Sequence, residues 1–416
     1  MNLNDKLFLE AMKASLQNGK VNWDFDISYE EWLGIFQRAE IHQVLPLIFD
    51  VVYSCPAAQK LDKDFFVHYK KKAVRQVMLQ TMRTEEFLKM YQHLQEKHIS
   101  PILVKGIVCR QLYPKQDFRS SSDEDMLIKP YEFHNCHNAL LEFGMKTRGE
   151  NIDLKSVYEV PYDKAGSPIY IELHKSLFPP ESKEYGEFNQ FFKKIYKNTV
   201  KINVQGVEIT TLGYTDHLFY LICHAFKHFL HSGFGIRQVS DMMMFANAYG
   251  SEIDWVEVLE KCKKIRADKF AAALFKIGEK YLVFSPEKAC YPEEWKKIFV
   301  DEHALLEDLL VGGIYGGSNM SRKHSSSLTL NAVRAEKQGK KVHTNVMKAI
   351  FPGMNSMKGK YPYLEKRPYL LPVAWTDRIL KYQKEMVQTK GNKASESIKI
   401  GNQRIELLKE YGVIKE

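Results

Sequence analysis

Apolar positions in the first hundred residues recur at steps of three and four, the spacing that gathers them on one helix face. Trp32, Leu33, Phe36, Ala39, Ile41, Val44, Leu45 and Ile48 do so across 29–53, and Phe87, Leu88, Met90, Tyr91 and Leu94 across 84–98. From Ile99 the texture changes to short apolar runs broken by Gly, Pro and Ser, at 101–104, 126–128, 169–173, 200–204 and 207–210, which predict strands. Residues 131–144 stand between them as a predicted helix, with Phe133, Cys136, Leu140, Leu141 and Phe143 facing one way. Helical spacing returns over 217–230, 239–249 and 255–264, with Gly233 and Gly235 marking the first gap.

These changes divide the chain into a helical region 1–99, a small α/β region 100–212, a helical region 213–318 and a remainder 319–416. Within the last, 319–341 is polar, Ser-rich and basic and predicts a mobile loop. Residues 351–375 are aromatic and proline-rich, and 390–416 reads as a frayed helix or tail. The class expected is α+β: a small mixed β-sheet flanked by helical N-terminal and C-terminal regions. A chain of 416 residues with 44% hydrophobic content can bury real cores. No run of eighteen apolar residues occurs, so no membrane span is expected, and MNLNDKLFLEAMKASLQ has no secretory pattern, which points to the cytoplasm. The six cysteines lie singly, with no CxxC, and read as reduced, mostly buried thiols. The net charge of +9 favours an anionic partner without choosing among nucleotide, nucleic acid and plain solubility.

Chemistry concentrates in PILVKGIVCRQLYPKQDFRSSSDEDMLIKP, residues 101–130. If 123–128 is a strand, its period of two sends Asp123 and Asp125 to one face, their Cα atoms about 6.5–7 Å apart. Two carboxylates so placed can clamp one or two hard cations, as two-metal phosphoryl transfer requires. An isolated Asp-x-Asp is more often a solvated strand entrance. Two further features favour the chemical reading: Lys105-Gly106 at a strand end, and Glu172 inside the apolar run IYIELHKSL, with His174 two residues on. Pairing beside the Asp-x-Asp strand would bring Glu172 to the same point. Glu124 should face away, with no catalytic role.

The run of Lys105-Gly106, Arg119, Asp123-Glu124-Asp125 and Glu172-Leu173-His174 resembles an uncharacterised bacterial nucleotidyltransferase family of the DNA polymerase beta superfamily. AEIHQVLPLIF at 39–49, HLFYLICHAFKH at 217–228 and the stretch 351–378 extend the likeness over most of the chain. The resemblance implies a metal-dependent transferase moving a nucleoside monophosphate from a nucleoside triphosphate to a hydroxyl acceptor. Asp123 and Asp125 would hold Mg2+ (or Mn2+), Glu172 would be the third carboxylate, and Lys105 and Gly106 would abut the triphosphate. No hydroxyl follows Gly106, however, so phosphate recognition falls to helix N-terminal amides and to Lys105 or Arg119.

Other residues fill out the expected cleft. Arg119 can reach a phosphate or pair with an aspartate, and His174 can order Glu172 or touch the nucleotide. His224 and His228 share a helix face at zinc-helix spacing, but the intervening Ala225-Phe226-Lys227 lacks the Glu a zinc hydrolase needs. That helix is expected to wall the cleft, with Lys227 and Arg237 aimed at phosphate and Asp241 ordering one of them. Lys358, Lys360, Lys366, Arg367, Arg378, Lys381 and Lys384 interleave with Tyr361, Tyr363, Tyr369, Trp375 and Tyr382, as in single-strand nucleic-acid binders but equally as on a packed helical surface. The acceptor (small molecule, protein or RNA) and the oligomeric state are left open. A non-catalytic nucleotide or polyanion binder on the same fold is the rival reading.

Overall fold

The short runs of residues 100–212 assemble one mixed sheet in the computed structural model, which describes residues 1–149, 152–314, 320–340, 351, 353–358, 361–388 and 394–415. Its strands are β1 (Ile102–Val104), β2 (Glu124–Leu127), β3 (Lys146–Thr147), β4 (Glu159–Asp163), β5 (Tyr170–His174), β6 (Thr199–Val204) and β7 (Val207–Leu212). Their spatial order is β3-β4-β5-β2-β1-β7-β6. β1 and β2 are antiparallel, whereas β2 runs parallel to β5 and β1 parallel to β7. Every residue of β1 and β2 is buried, as befits interior strands covered on both faces.

Helices cover the two faces differently. Leu103, Met126, Ile171, Leu173 and Ile209 pack beneath the C-terminal half of α5 (Lys63–Glu96) and α7 (Phe133–Glu142). Ile102, Val104, Leu127 and Leu212 join a larger apolar cluster that runs from α1 (Leu3–Leu16) through α8 (Tyr214–His231) and α9 (Ile236–Tyr249) to Ile414. The N-terminal and C-terminal helices therefore share one core. The other described helices are α2 (Tyr29–Ile41), α3 (Leu45–Val52), α4 (Pro56–Gln59), α6 (Gly106–Arg110), α10 (Trp255–Lys264), α11 (Asp268–Tyr281), α12 (Glu293–Lys296), α13 (His303–Gly312), α14 (Met320–Lys337), α15 (Met354–Met357), α16 (Leu371–Gln388) and α17 (Ala394–Glu410). None of the described helices is long and apolar enough to cross a membrane. Five cysteines are buried, Cys290 is exposed, and all six are free.

Two sequence expectations fail at the C-terminal end. The predicted loop 319–341 is largely α14; Asn319 and Lys341 themselves lie outside the described residues. Its serines mislead because Ser321, Ser325 and Thr329, at steps of four, are buried rather than solvated. Ser325 Oγ donates to the Arg322 carbonyl (2.6 Å), and Thr329 Oγ1 donates to Ser326 and His231 carbonyls (3.0 Å each), so the hydroxyls are satisfied inside the packing. The expected tail is a helix, Ala394–Glu410, packed on α14, where a Cβ at Gly401 would meet Leu328 Cδ1 at 2.4 Å. In the aromatic and basic stretch, Met357, Tyr361, Leu364 and Ala374 form a small cluster, and Tyr361 donates to Asp377 (2.8 Å), which also pairs with Lys381 (2.7 Å). Lys360 and the side chains of Tyr382 and Lys384 lie outside the described residues. β3 and β4 were not expected from sequence: β3 is two residues long, and β4 contains Pro161, whose missing N–H argues against a strand.

A break at Gln43 (φ +54°) divides the helical pattern of 29–53 into α2 and α3, and the buried His42 beside it links three elements. Ile236 N–H, at the start of α9, donates to His42 Nδ1 (3.1 Å), so Nε2 carries the ring hydrogen and faces the Leu310 carbonyl (3.3 Å). Burial pushes the His42 pKa down to about 4. An unfolded histidine titrates near 6.5, so this neutral ring contributes stability that is complete above about pH 6.5 and is lost as pH falls toward 4. The expected result is that wild-type unfolding free energy falls between pH 6.5 and 5 more steeply than that of His42→Gln. The excess is up to about 1.4 kcal/mol per pH unit. Urea midpoints across that range check it, and parallel pH profiles contradict it.

Candidate active site

The turn from β1 into α6 is held in an unusual backbone conformation. Lys105 has φ +49° and ψ −125°, a region that costs a side-chain-bearing residue about 1–3 kcal/mol. Three bonds fix it: Lys105 N–H donates to His217 Nε2 (3.1 Å), and its carbonyl accepts from Val108 (2.8 Å) and Cys109 (3.1 Å). His217 is set in turn by Thr211 Oγ1 at 3.2 Å from Nδ1, and that hydroxyl donates to the Leu103 carbonyl (2.6 Å). Burial lowers the His217 pKa to about 3, so the ring stays neutral and Nε2 can accept.

Gly106 follows at φ +32°, and a Cβ there would stand 1.9 Å from Glu124 Oε2. Glu124 crowds this point because Oε2 accepts the Ile107 N–H (2.6 Å) while Oε1 pairs with Arg110 Nη2. Arg110 is wholly buried and also reaches Thr84 Oγ1 on α5 (2.7 Å). The pleat thus sends Glu124 to the face opposite Asp125. The expectation that helix amides receive phosphate needs correcting at Ile107, whose N–H is already taken by Glu124.

The acids converge on the other face. Strand register sets Asp125 directly beside Glu172, and Glu159 of β4 directly opposite His174. Lys105 Nζ lies 2.7 Å from Asp125 Oδ2 and 3.6 Å from Asp123 Oδ2, while Tyr220 OH of α8 is 3.4 Å from Asp125 Oδ2. Burial works to raise the Asp125 pKa, but Lys105 and then His174 outweigh it and hold the carboxyl well below the usual range. Burial likewise works against the charged form of His174, yet Asp125 and Glu172 push its pKa up to about 9. Ligand atoms of Asp125, Glu172 and His174 lie within 4.8 Å of one another. Asp125 Oδ1 and both ring nitrogens of His174 are buried without a hydrogen-bond partner among the described residues. One orphaned carboxylate oxygen and an unpartnered imidazole, with the half-buried Glu172 beside them, fit a divalent cation. Asp123 stands just outside this group, its Oδ1 accepting from Ser122 Oγ (2.8 Å).

Two adjoining cavities open here. The larger, about 770 Å³ including space open to solvent, is lined by the acids, Glu159, Tyr170, His174, Tyr220, His224, Lys227 and His228. The smaller, about 410 Å³, is lined by Gly106, Arg119, Ser121, Arg237, Gln238 and Asp241; Lys105, Asp123 and His224 border both. Arg119 pairs with Asp241 through Nε (3.1 Å) and Nη2, and Tyr113 OH donates to the same carboxylate (2.8 Å). Asp241 therefore orders Arg119, not Lys227 or Arg237 as expected, and Arg119 pairs with neither Asp123 nor Asp125. Arg237 Nη1 bonds Gln43 Oε1 (3.0 Å) and the Ser120 carbonyl. Lys227 sits 5.6 Å over the Tyr185 ring, its pKa lowered by burial and then by Lys105. His217, Tyr220, Glu159, Tyr170 and Gln238 carried no sequence signal beyond helix or strand periodicity.

The placement of Glu124 away from the cleft can be checked through stability. Glu124→Ala strands the buried Arg110 charge and is expected to cost about 3–5 kcal/mol, whereas Asp123→Asn is expected to change stability by less than about 1 kcal/mol. Chemical denaturation of both variants reads the difference; equal losses contradict it.

No curated protein and no solved structure matches the chain. A family model described as an uncharacterised nucleotidyltransferase matches residues 28–282, a span that takes in the whole sheet, the Lys105–Gly106 turn and the α8 and α9 wall. The chain belongs to this uncharacterised nucleotidyltransferase family.

Proposed function

We propose that this chain transfers a nucleoside monophosphate from a nucleoside triphosphate to a hydroxyl acceptor, releasing pyrophosphate, with Mg2+ or Mn2+ as cofactor. The observation that carries this reading is the convergence of Asp125, Glu172 and His174 beside a cavity lined by Lys105, Arg119 and Arg237. Asp125 and Glu172, with Asp123 at the rim, would hold the cation. When bound, it supplies charge neutralisation for the triphosphate and the leaving pyrophosphate.

The chain's own groups do the rest. Arg119 is held by Asp241, whose carboxylate also accepts from Tyr113 OH, and its Nη1 is buried without a hydrogen-bond partner among the described residues, a donor available to a phosphate oxygen. Lys105 borders both cavities and so lies within reach of the phosphates as well as of the acids. The Glu172 side chain keeps 27% exposure against 5% for Asp125, which makes it the carboxylate an acceptor hydroxyl can approach. In that role Glu172 takes the hydroxyl proton as the oxygen bonds to the α-phosphorus and the bond to pyrophosphate breaks in line. The acceptor is a small molecule, a protein side chain or an RNA end.

Calorimetric titration of the four ribonucleoside triphosphates with and without Mg2+, followed by pyrophosphate release during acceptor screening, tests the reading. Binding is expected to need the cation. Asp125→Asn is expected to cut release at least about a thousandfold, roughly 4 kcal/mol of barrier, with the fold kept. Arg119→Lys is expected to weaken nucleotide binding about tenfold, because a lysine cannot pair with Asp241 and bond phosphate together. Cation-independent binding that survives Asp125→Asn establishes the rival, non-catalytic binder.

A further inference from the structure

Resting on the reading that Asp125 holds a cation, we infer that the site is a mixed nitrogen and oxygen centre with His174 as a ligand and Glu159 as its positioning residue. Such a centre takes a first-row transition dication such as Mn2+ in preference to Mg2+.

The argument begins in the strand register. Alternation along β5 puts Glu172 and His174 on one face, and pairing sets Asp125 beside Glu172 on one flank and Glu159 opposite His174 on the other. The imidazole is thereby bracketed by carboxylates. Its Nδ1 lies 3.4 Å from Glu159 Oε2; its Nε2 lies 3.6 Å from Asp125 Oδ1 and 3.7 Å from Glu172 Oε2. The Nε2 separations are too long for hydrogen bonds. They do suit atoms sharing one ion, since two ligands each about 2.1 Å from a cation stand no more than about 4.2 Å apart. The ring is buried, so it has no water shell to satisfy it instead.

Glu159 Oε2 stands 3.4 Å from Nδ1 without forming a hydrogen bond there, at the position from which a carboxylate fixes the orientation of a ligating histidine and raises its basicity. Asp123, by contrast, stands outside the converging group and 3.6 Å from Lys105, which leaves the centre short of protein oxygens. Mg2+ binds through oxygens and gives up its waters reluctantly, so an imidazole adds little for it. Transition dications gain from the nitrogen, and their affinities rise from Mn2+ upward through the series. The preference therefore comes from this chain's β4 and β5 rather than from the Asp-x-Asp pair.

Electron paramagnetic resonance tests this without turnover. Free Mn2+ is counted in titrations of the full chain, with Mg2+ as competitor, and bound Mn2+ is read for nitrogen-14 modulation of the spin echo. Expected in the wild type are imidazole modulation and a Mn2+ affinity exceeding that for Mg2+ by about tenfold or more. His174→Gln is expected to abolish the modulation and bring the two affinities together. Glu159→Gln alters a side chain that is 34% exposed and leaves the ring in place; it is expected to weaken Mn2+ binding about tenfold while Mg2+ binding is unchanged. Asp125-dependent Mn2+ binding without nitrogen modulation, or an unchanged Mn2+ to Mg2+ ratio in both variants, overturns the inference and leaves the transfer reading standing. Mn2+ binding indifferent to Asp125→Asn overturns the transfer reading as well.

Discussion

The geometry of the cleft depends on the buried pair of Glu124 and Arg110. Glu124 is the odd member of an acidic triplet, turned by the pleat of β2 into the layer beneath α5 and α6. There its two oxygens bind different things, the Arg110 guanidinium and the Ile107 amide, and so tie β2 to the turn that precedes α6. Gly106 is glycine because this carboxylate occupies the place of a side chain. Burying such a pair gains little net stability, since desolvation offsets most of the Coulomb attraction. Its consequence is positional: with Glu124 anchored on one face, Asp123 and Asp125 can face only the cleft.

The opposite wall uses helix spacing to the same end. His217, Tyr220, His224, Lys227 and His228 fall at steps of three and four along α8, so one face presents them all toward the turn and the acids. On α9, Arg237 and Asp241 are four apart and border the smaller cavity together. Asp241 also settles where Arg119 points. Without that partner, a guanidinium four residues before Asp123 would be drawn toward the aspartates. Held by Asp241, which Tyr113 fixes in turn, it lines the smaller cavity instead.

What the sequence disclosed follows from which interactions are local. Periodicity located β1, β2, β5, β6, β7, the helices α2, α3, α7, α8, α9 and α10 and the C-terminal part of α5, and the spacing of two in Asp123-Glu124-Asp125 was enough to assign each acid to its face of the strand. Glu172 was legible as an acid inside an apolar strand, although its place beside Asp125 needed the β2 and β5 register. Contacts between distant segments were not legible. The Arg119 pairing with Asp241 spans 122 residues, the support of Lys105 by His217 spans 112, and β4 hid behind Pro161. The 319–341 segment failed for another reason: buried serines satisfied within their own helix have the same composition as solvated serines in a loop.

Charge of both signs meets in this cleft, and its segregation gives the site a direction. The sheet contributes Asp125, Glu159 and Glu172, with Asp123 at the strand entrance; the helical wall contributes Lys227 and Arg237, and Lys105 stands between. His224 and His228 could have added further positive charge, with His224 Nε2 3.2 Å from Lys105 Nζ and 3.3 Å from His228 Nε2. Burial first, then the neighbouring lysines, hold both far below the ordinary histidine range, so they remain neutral. A wall of neutral rings stands between the cations without adding to their mutual repulsion. The field that results runs from the helices toward the sheet. Under the proposed transfer reading, it would favour an anionic chain lying along α8 and α9, with its reacting end turned to the carboxylates.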